Sequence, residues 1–337
     1  MDSGIFIYIA ACKERFLAQT VKSALDNATH PNRIFFGIFN TVLDDEDYIT
    51  DPIIIDQPKN KIFLVEAKSP QALGTGFSRM AASLLCNNID AEYALQIDAH
   101  MIFDKDWDMN LIKRFEEVSS YAGTDKIVLT ANPMPWVESK DRSQMLLWRK
   151  YPVNPYNFDS ESPELHNQIG ERLRNGVTAF GFNSQGYPDV VGAPEHLHFP
   201  PGLDYVEVSA IHAAYMFFKT SDIRELLHDP ENTFEGDQLN YSLRVLSRGY
   251  KIFCVQKPVL LAKDKHEAGG SGVPIDTYDW RVASKSCFLK FDSPERSRGL
   301  QSDMFTGRYY GYWGAPDEES LKMAKEKMGL TRYYEDK

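Results

Sequence analysis

Tyr93-Ala94-Leu95-Gln96-Ile97-Asp98-Ala99-His100-Met101-Ile102-Phe103 is the stretch on which the fold turns. Tyr93 to Ile97 is a short apolar run of strand length, and two ligand-type side chains follow it at once. Alternate positions of an extended chain point the same way, so Asp98 and His100 can share one side. A carboxylate oxygen beside an imidazole nitrogen suits a divalent cation such as Mn²⁺. The competing reading is a turn-capping aspartate followed by a packed histidine.

Outward from this strand the pattern repeats. Ile5 to Ala11, Ile34 to Phe39 and Lys61 to Glu66 read as earlier strands, and Ile127 to Thr130 as a later one. Helical stretches lie between them: Lys13 to Asn27, Gly76 to Asn88 and Asp106 to Ser120. Strands alternating with helices predict an α/β fold, a Rossmann-like, mainly parallel sheet flanked by helices on both faces. In such sheets ligands sit beyond the carboxyl ends of the strands, which is where Asp98 falls.

Residues 1–130 thus read as one α/β half. Residues 131–205 are rich in Pro, Asn, Gly, Tyr and Trp with weak helical periodicity, and read as a long central insertion or lid, on the side of the second substrate. Regular structure returns over 206–290. Val206 to Val208, Ala213 to Phe218, Tyr250 to Val255 and Val259 to Ala262 read as strands there. Thr220 to Leu227 and Gly236 to Ser247 read as helices, the latter stopped at Gly249. Residues 291–337 form a C-terminal extension, whose helix from Asp317 to Met328 starts acidic and ends basic.

The 337 residues suffice for two domains or for one large domain with an insertion. A net charge of -11 argues against a broad polyanion-binding face but leaves room for a local basic groove. No apolar run reaches the roughly 18 residues of a membrane span. The N-terminus lacks the basic start and cleavage site of a signal peptide. Cys12, Cys86, Cys254 and Cys287 are scattered without a CxxC pair, so they read as free thiols rather than a zinc site. The expectation is a cytoplasmic protein with no membrane partner.

The block from Tyr93 to Phe103, continued by Trp107-Asp108 and Leu111-Ile112, resembles a known signature. It looks like that of the GlcNAc-transferase family typified by the cytosolic enzyme that glycosylates hydroxyproline on a ubiquitin-ligase adaptor. The layout is similar to that of the polypeptide GalNAc-transferases, which also carry Asp-x-His. The likeness covers most of residues 4–130 and returns around 205–266; the insertion and the last 70 residues do not match. It implies a GT-A fold, a UDP-sugar donor (UDP-GlcNAc in the family precedent), Mn²⁺ or Mg²⁺, and transfer with retention of configuration.

The resemblance also assigns other positions. Ala10, Ala11 and Arg15, at the end of the first strand, become candidates for the nucleotide base and ribose, with a surface arginine as the alternative. Gly74 and Gly76 precede a helix whose N-terminus favours phosphate, and Arg79 would reach the diphosphate or the sugar; a simple helix-entry loop is the alternative. Asp98 belongs to the same donor site. With His100 it would hold the metal, and His266 would be the third ligand, with His212 as its competitor. The family has two adjacent acids where this chain has Glu235 and Asp237 split by Gly236. Either would face the sugar or the acceptor, or both are helix-start acids serving the dipole. A same-face mechanism is implied, in which the leaving phosphate deprotonates the acceptor.

The acceptor stays open between a protein hydroxyl and hydroxymethylated DNA. Phage enzymes of related type place sugars, including pentoses, on hydroxymethylated pyrimidines, and such an enzyme would work in the host cytoplasm. Basic residues interleaved with aromatics around Lys140 to Tyr156, Arg172 to Arg174 and Arg296 to Tyr310 suit that DNA reading. A solvated, salt-paired surface is their plainer explanation. Two rivals from other classes share the sheet: a nucleotidyltransferase and a non-catalytic module that binds sugar nucleotides.

Overall fold

The computed structural model describes residues 3–58, 60–68, 74–131, 133–138, 145–147, 151–153, 178–182, 188–192, 202–232, 237–255, 259–263 and 310–328. The first half lays down β1 (Ile5–Cys12), β2 (Ile34–Val42), β3 (Ile62–Lys68), β4 (Tyr93–Ile97), β5 (Met101–Phe103) and β6 (Ile127–Thr130). β7 (Met134–Glu138), β8 (Met145–Leu147), β9 (Tyr151–Val153), β10 (Thr178–Phe182) and β11 (Pro188–Gly192) follow. β12 (Tyr205–Val208), β13 (Tyr215–Lys219), β14 (Lys251–Val255) and β15 (Leu260–Lys263) complete the strands. The main helices are α1 (Leu17–Asp26), α2 (Thr75–Leu84), α3 (Trp107–Ala122), α4 (Asp237–Ser247) and α5 (Glu318–Lys327).

Eight strands form one sheet in the order β12-β14-β6-β13-β4-β1-β2-β3. Four of its seven pairings are parallel, which makes it mainly parallel as the strand–helix alternation requires. The exception that matters is β13. It runs antiparallel between β4 and β6, so its first residues lie beside the end of β4.

All five residues of β4 are buried, as expected of a central strand covered on both faces. Tyr93, Leu95 and Ile97 point into one core with Leu17, Val21, Trp107 and Phe115. Ala94 points into the other, with Ala82, Leu239 and Leu243. Asp98 continues the second face, the one covered by α2 and α4.

Three expectations are corrected. Helix α1 begins at Leu17 rather than Lys13. Lys13 adopts a left-handed backbone with φ 51°, and its Nζ is held 2.8 Å from Asp44, so the chain turns sharply before the helix starts. The helix expected from Thr220 to Leu227 is only a 3₁₀ turn at Thr220–Asp222. The carbonyls of Glu225 and Leu227 accept from the Arg244 guanidinium, and that of Leu226 from the Tyr241 hydroxyl, so they are satisfied from α4 instead. The central insertion is not irregular throughout. β7, β8 and β9 join β5 and β15 in a second sheet, and β10 and β11 form a hairpin.

A buried polar network lies beneath the end of β4. Gln96 donates to the Ala213 carbonyl and accepts from His228 Nε2. His228 is buried and stacks on Tyr241 with ring centroids 4.3 Å apart. Burial above all, then Arg79 and Arg244, holds His228 well below the usual histidine range. The folded state therefore binds fewer protons than the unfolded chain. The network's contribution is complete above the unfolded pKa of about 6.5 and is lost as pH falls below it. The urea midpoint should accordingly drop between about pH 7 and pH 5. His228→Gln, which keeps a donor but cannot titrate, should flatten that slope; an equally steep slope would place the acid sensitivity elsewhere.

Candidate functional site

The carboxyl ends of β1 and β4 are neighbours because the two strands pair in parallel, with Ile9 beside Ile97. Ala10 and Ala11 lie just before Cys12, the last residue of β1, the first half-buried and the second buried. Beyond Ile97 the Asp98 side chain remains 31% exposed, open to the site rather than sealed in the core.

Helix α2 brings Arg79 to this point. Gly74 caps the helix with φ 83°, a backbone that favours glycine. Gly76 lies where α2 meets the 229–232 loop. Its N–H donates to the Asn232 carbonyl at 3.0 Å, and a Cβ would run into the carbonyls of Asp229 and Asn232. The small residue thus sets how deeply α2 seats, and its amide is already bonded within the protein.

Arg79 spans two carboxylates. Its Nη2 donates to Asp98 Oδ1 at 3.2 Å, and its Nη1 donates to Asp237 Oδ2 at the start of α4. Asp237 Oδ1 accepts from the Gln238 N–H at 2.7 Å. Burial pushes the Asp237 carboxyl above the usual range, and Arg79 and the Gln238 N–H oppose it. Three elements distant in sequence are tied by one guanidinium.

His100 sits on the other side of Asp98. Its Nδ1 bonds Glu14 Oε2 at 2.9 Å, and its Nε2 is 3.6 Å from Asp98 Oδ2. With its proton on Nδ1, facing the Glu14 carboxylate, the ring would turn the Nε2 lone pair towards the Asp98 side. This is the arrangement that orients an imidazole for a cation, and Asp98 Oδ2 with His100 Nε2 can act as two ligands of one ion. Among the described residues no group of three such ligands forms. His266 and Glu235 lie outside the described residues, as do the basic clusters around Lys140, Arg172 and Arg296.

Arg15 is exposed, with its guanidinium 4.4 Å from the Phe16 ring centroid. Glu14 was not singled out by the sequence. The signal available was topological: residues just past two adjacent parallel strands meet, so the turn after β1 faces the turn after β4.

The sheet and its flanking helices match a GT-A architecture. The crystal structure of GalNAc-T7 with UDP, GalNAc and Mn²⁺ superposes with a TM-score of 0.53 at 14% identity, covering 97% of this chain and 56% of that one. At that identity the likeness is one of fold, and the chain spans little more than half the length of that protein. No curated protein sequence matches the chain. The model of the family described as Glycosyltransferase (GlcNAc) matches residues 51–265, well over half of the chain. The chain belongs to that family and is a glycosyltransferase. The nucleotidyltransferase and the non-catalytic module are thereby set aside.

Removing the shared cation should be costly. Arg79→Met would leave two carboxylates facing each other with little water, and folding stability should fall by about 3–5 kcal/mol. Adding Asp237→Asn to that variant should recover part of the loss in a denaturant double-mutant cycle. Strict additivity would mean the Arg79–Asp237 pair is not coupled.

Proposed function

We propose that this glycosyltransferase takes its sugar from a UDP-sugar, with a divalent cation (Mn²⁺ or Mg²⁺) held by Asp98 and His100, and passes it to a hydroxyl acceptor. The observation that carries this is His100, whose Nδ1 faces Glu14 while its Nε2 faces Asp98. GalNAc-T7, of like fold, is seen with UDP, GalNAc and Mn²⁺, which supports the same ligand classes here. His266 remains the proposed third ligand. A cation bound at Asp98 and His100 supplies charge neutralisation to the diphosphate leaving group.

The protein groups divide the remaining work. Arg79 lies against Asp98 and is placed to share the charge of the diphosphate. Ala10, Ala11, Arg15 and Gly74, at the ends of β1 and the start of α2, are the proposed surroundings of the nucleotide. Asp237 is engaged at both oxygens, by Arg79 and by the Gln238 N–H, which suits a positioning role better than a nucleophilic one. Transfer with retention then needs no protein nucleophile. The bond from the anomeric carbon to the phosphate oxygen breaks, the acceptor oxygen bonds that carbon on the same face, and its proton passes to the departing phosphate. Glu235 keeps its proposed place as a carboxylate facing the sugar or the acceptor.

Release of UDP from a panel of UDP-sugars, with hydroxyproline-bearing protein or hydroxymethylated DNA offered as acceptor, tests donor and acceptor together. Asp98→Ala should reduce turnover to background. Glu14→Gln should weaken Mn²⁺ binding by about 10–100-fold without touching the ion. Turnover that survives the loss of Asp98 would remove the metal site from the mechanism, and pyrophosphate in place of UDP would refute sugar transfer.

A further inference from the structure

His212 lies in the turn between β12 and β13. Because β13 is antiparallel to β4 with Tyr215 opposite Ile97, the residues just before Tyr215 run alongside Asp98 and His100. Three hydrogen bonds fix the turn. The His212 N–H donates to Thr130 Oγ1 at 2.9 Å, its carbonyl accepts from the Tyr215 N–H at 3.0 Å, and its Nδ1 accepts from the Ala214 N–H at 3.3 Å.

The last bond decides the chemistry of the ring. An Nδ1 that accepts must carry a lone pair, so the proton sits on Nε2. A charged ring would set one N–H against another. The ring is half-buried, and its Nε2 makes no hydrogen bond within the described residues. The charged groups acting on it are Asp98 and Arg79. His100 is arranged the other way round, with Nδ1 facing the Glu14 carboxylate rather than a backbone N–H, and Nε2 on the Asp98 side. A cation ligand needs the lone pair, and the nitrogen of His212 that has no partner among the described residues carries a proton instead.

We propose that His212 is a substrate contact rather than a cation ligand: its Nε2–H donates to an oxygen of the nucleotide sugar, on the diphosphate or the sugar, lying beside Asp98 and Arg79. The assignment rests on the UDP-sugar reading above. It also leaves the place of third cation ligand to a residue other than His212.

Calorimetric titration separates the possibilities, using Mn²⁺ alone and then UDP and UDP-GlcNAc at saturating Mn²⁺. His212→Leu should leave Mn²⁺ affinity within about twofold and weaken nucleotide binding by roughly 5–10-fold, the scale of one lost hydrogen bond. His212→Gln, which returns an N–H at similar reach, should restore most of that loss; a general disturbance of the turn would not be rescued in this way. Equal weakening of UDP and UDP-GlcNAc places the accepting oxygen on the diphosphate, and weakening of UDP-GlcNAc alone places it on the sugar. A parallel fall in Mn²⁺ affinity in both variants would make His212 a ligand and overturn the proposal, as would nucleotide affinity unchanged in His212→Leu. If the unmodified chain binds Mn²⁺ but neither nucleotide, the UDP-sugar reading itself fails and takes this one with it.

Discussion

The Arg79 guanidinium between Asp98 and Asp237 is the interaction on which the site depends. Asp98 directly follows a central strand and Asp237 opens a helix that lies far along the chain. Two carboxylates brought together in a half-dry space repel, and burial makes the repulsion worse. One buried cation turns that conflict into a clamp across β4, α2 and α4. The position of Arg79 depends in turn on two glycines. Gly74 supplies the left-handed backbone that starts α2, and Gly76 lets the helix approach the carbonyls of the 229–232 loop. The geometry of the site and the packing of the second core are thus one problem with one solution.

Around that clamp, the polar groups that hold the walls come from buried strand and helix positions. Thr130 on β6 accepts from the His212 N–H and donates to the Tyr215 carbonyl at 3.0 Å. Ser242 on α4 accepts from the Ile211 N–H at 3.0 Å and donates to Gln238 at 2.6 Å. Gln96 ties Ala213 to His228. The turn before β13 is therefore braced from three elements. Side chains fixed on rigid elements hold a site more closely than loop contacts do.

Much of this was legible in the sequence because it depends on local pattern. The apolar run ending in Asp98 and His100 is a period and a change of residue class, and both survive in a linear reading. Arg79 and Asp237 stand at the starts of recognisable helices. Glu14 was not legible, because its partner is 86 residues away and only the parallel pairing of β1 with β4 brings them together. Its direction also depends on the left-handed turn at Lys13, a residue type that gives no warning of positive φ. The antiparallel insertion of β13 was hidden for a related reason. Alternation of strands and helices states that a sheet exists, not the order in which strands enter it. The segment 220–227 misled because its helical composition is overruled by α4, which satisfies its carbonyls from outside.

Charge gives the last constraint. Counted over the described residues of the cluster, Asp98, Asp237 and Glu14 against Arg79 carry two net negative charges when the carboxylates are ionised and His100 is neutral. A diphosphate arriving at such a site meets repulsion, and a single guanidinium already shared by two carboxylates cannot offset it. One divalent cation brings the cluster to neutrality. On the proposed function, then, cation binding would favour the arrival of the nucleotide sugar. The guanidinium's bond to Asp98 is the longer of its two. On that proposal, Asp98 would turn its charge to the cation while Asp237 kept Arg79 in place beside the donor. The second carboxylate would thereby have a purpose that its burial alone does not explain: to keep the arginine in place while its first partner is engaged elsewhere.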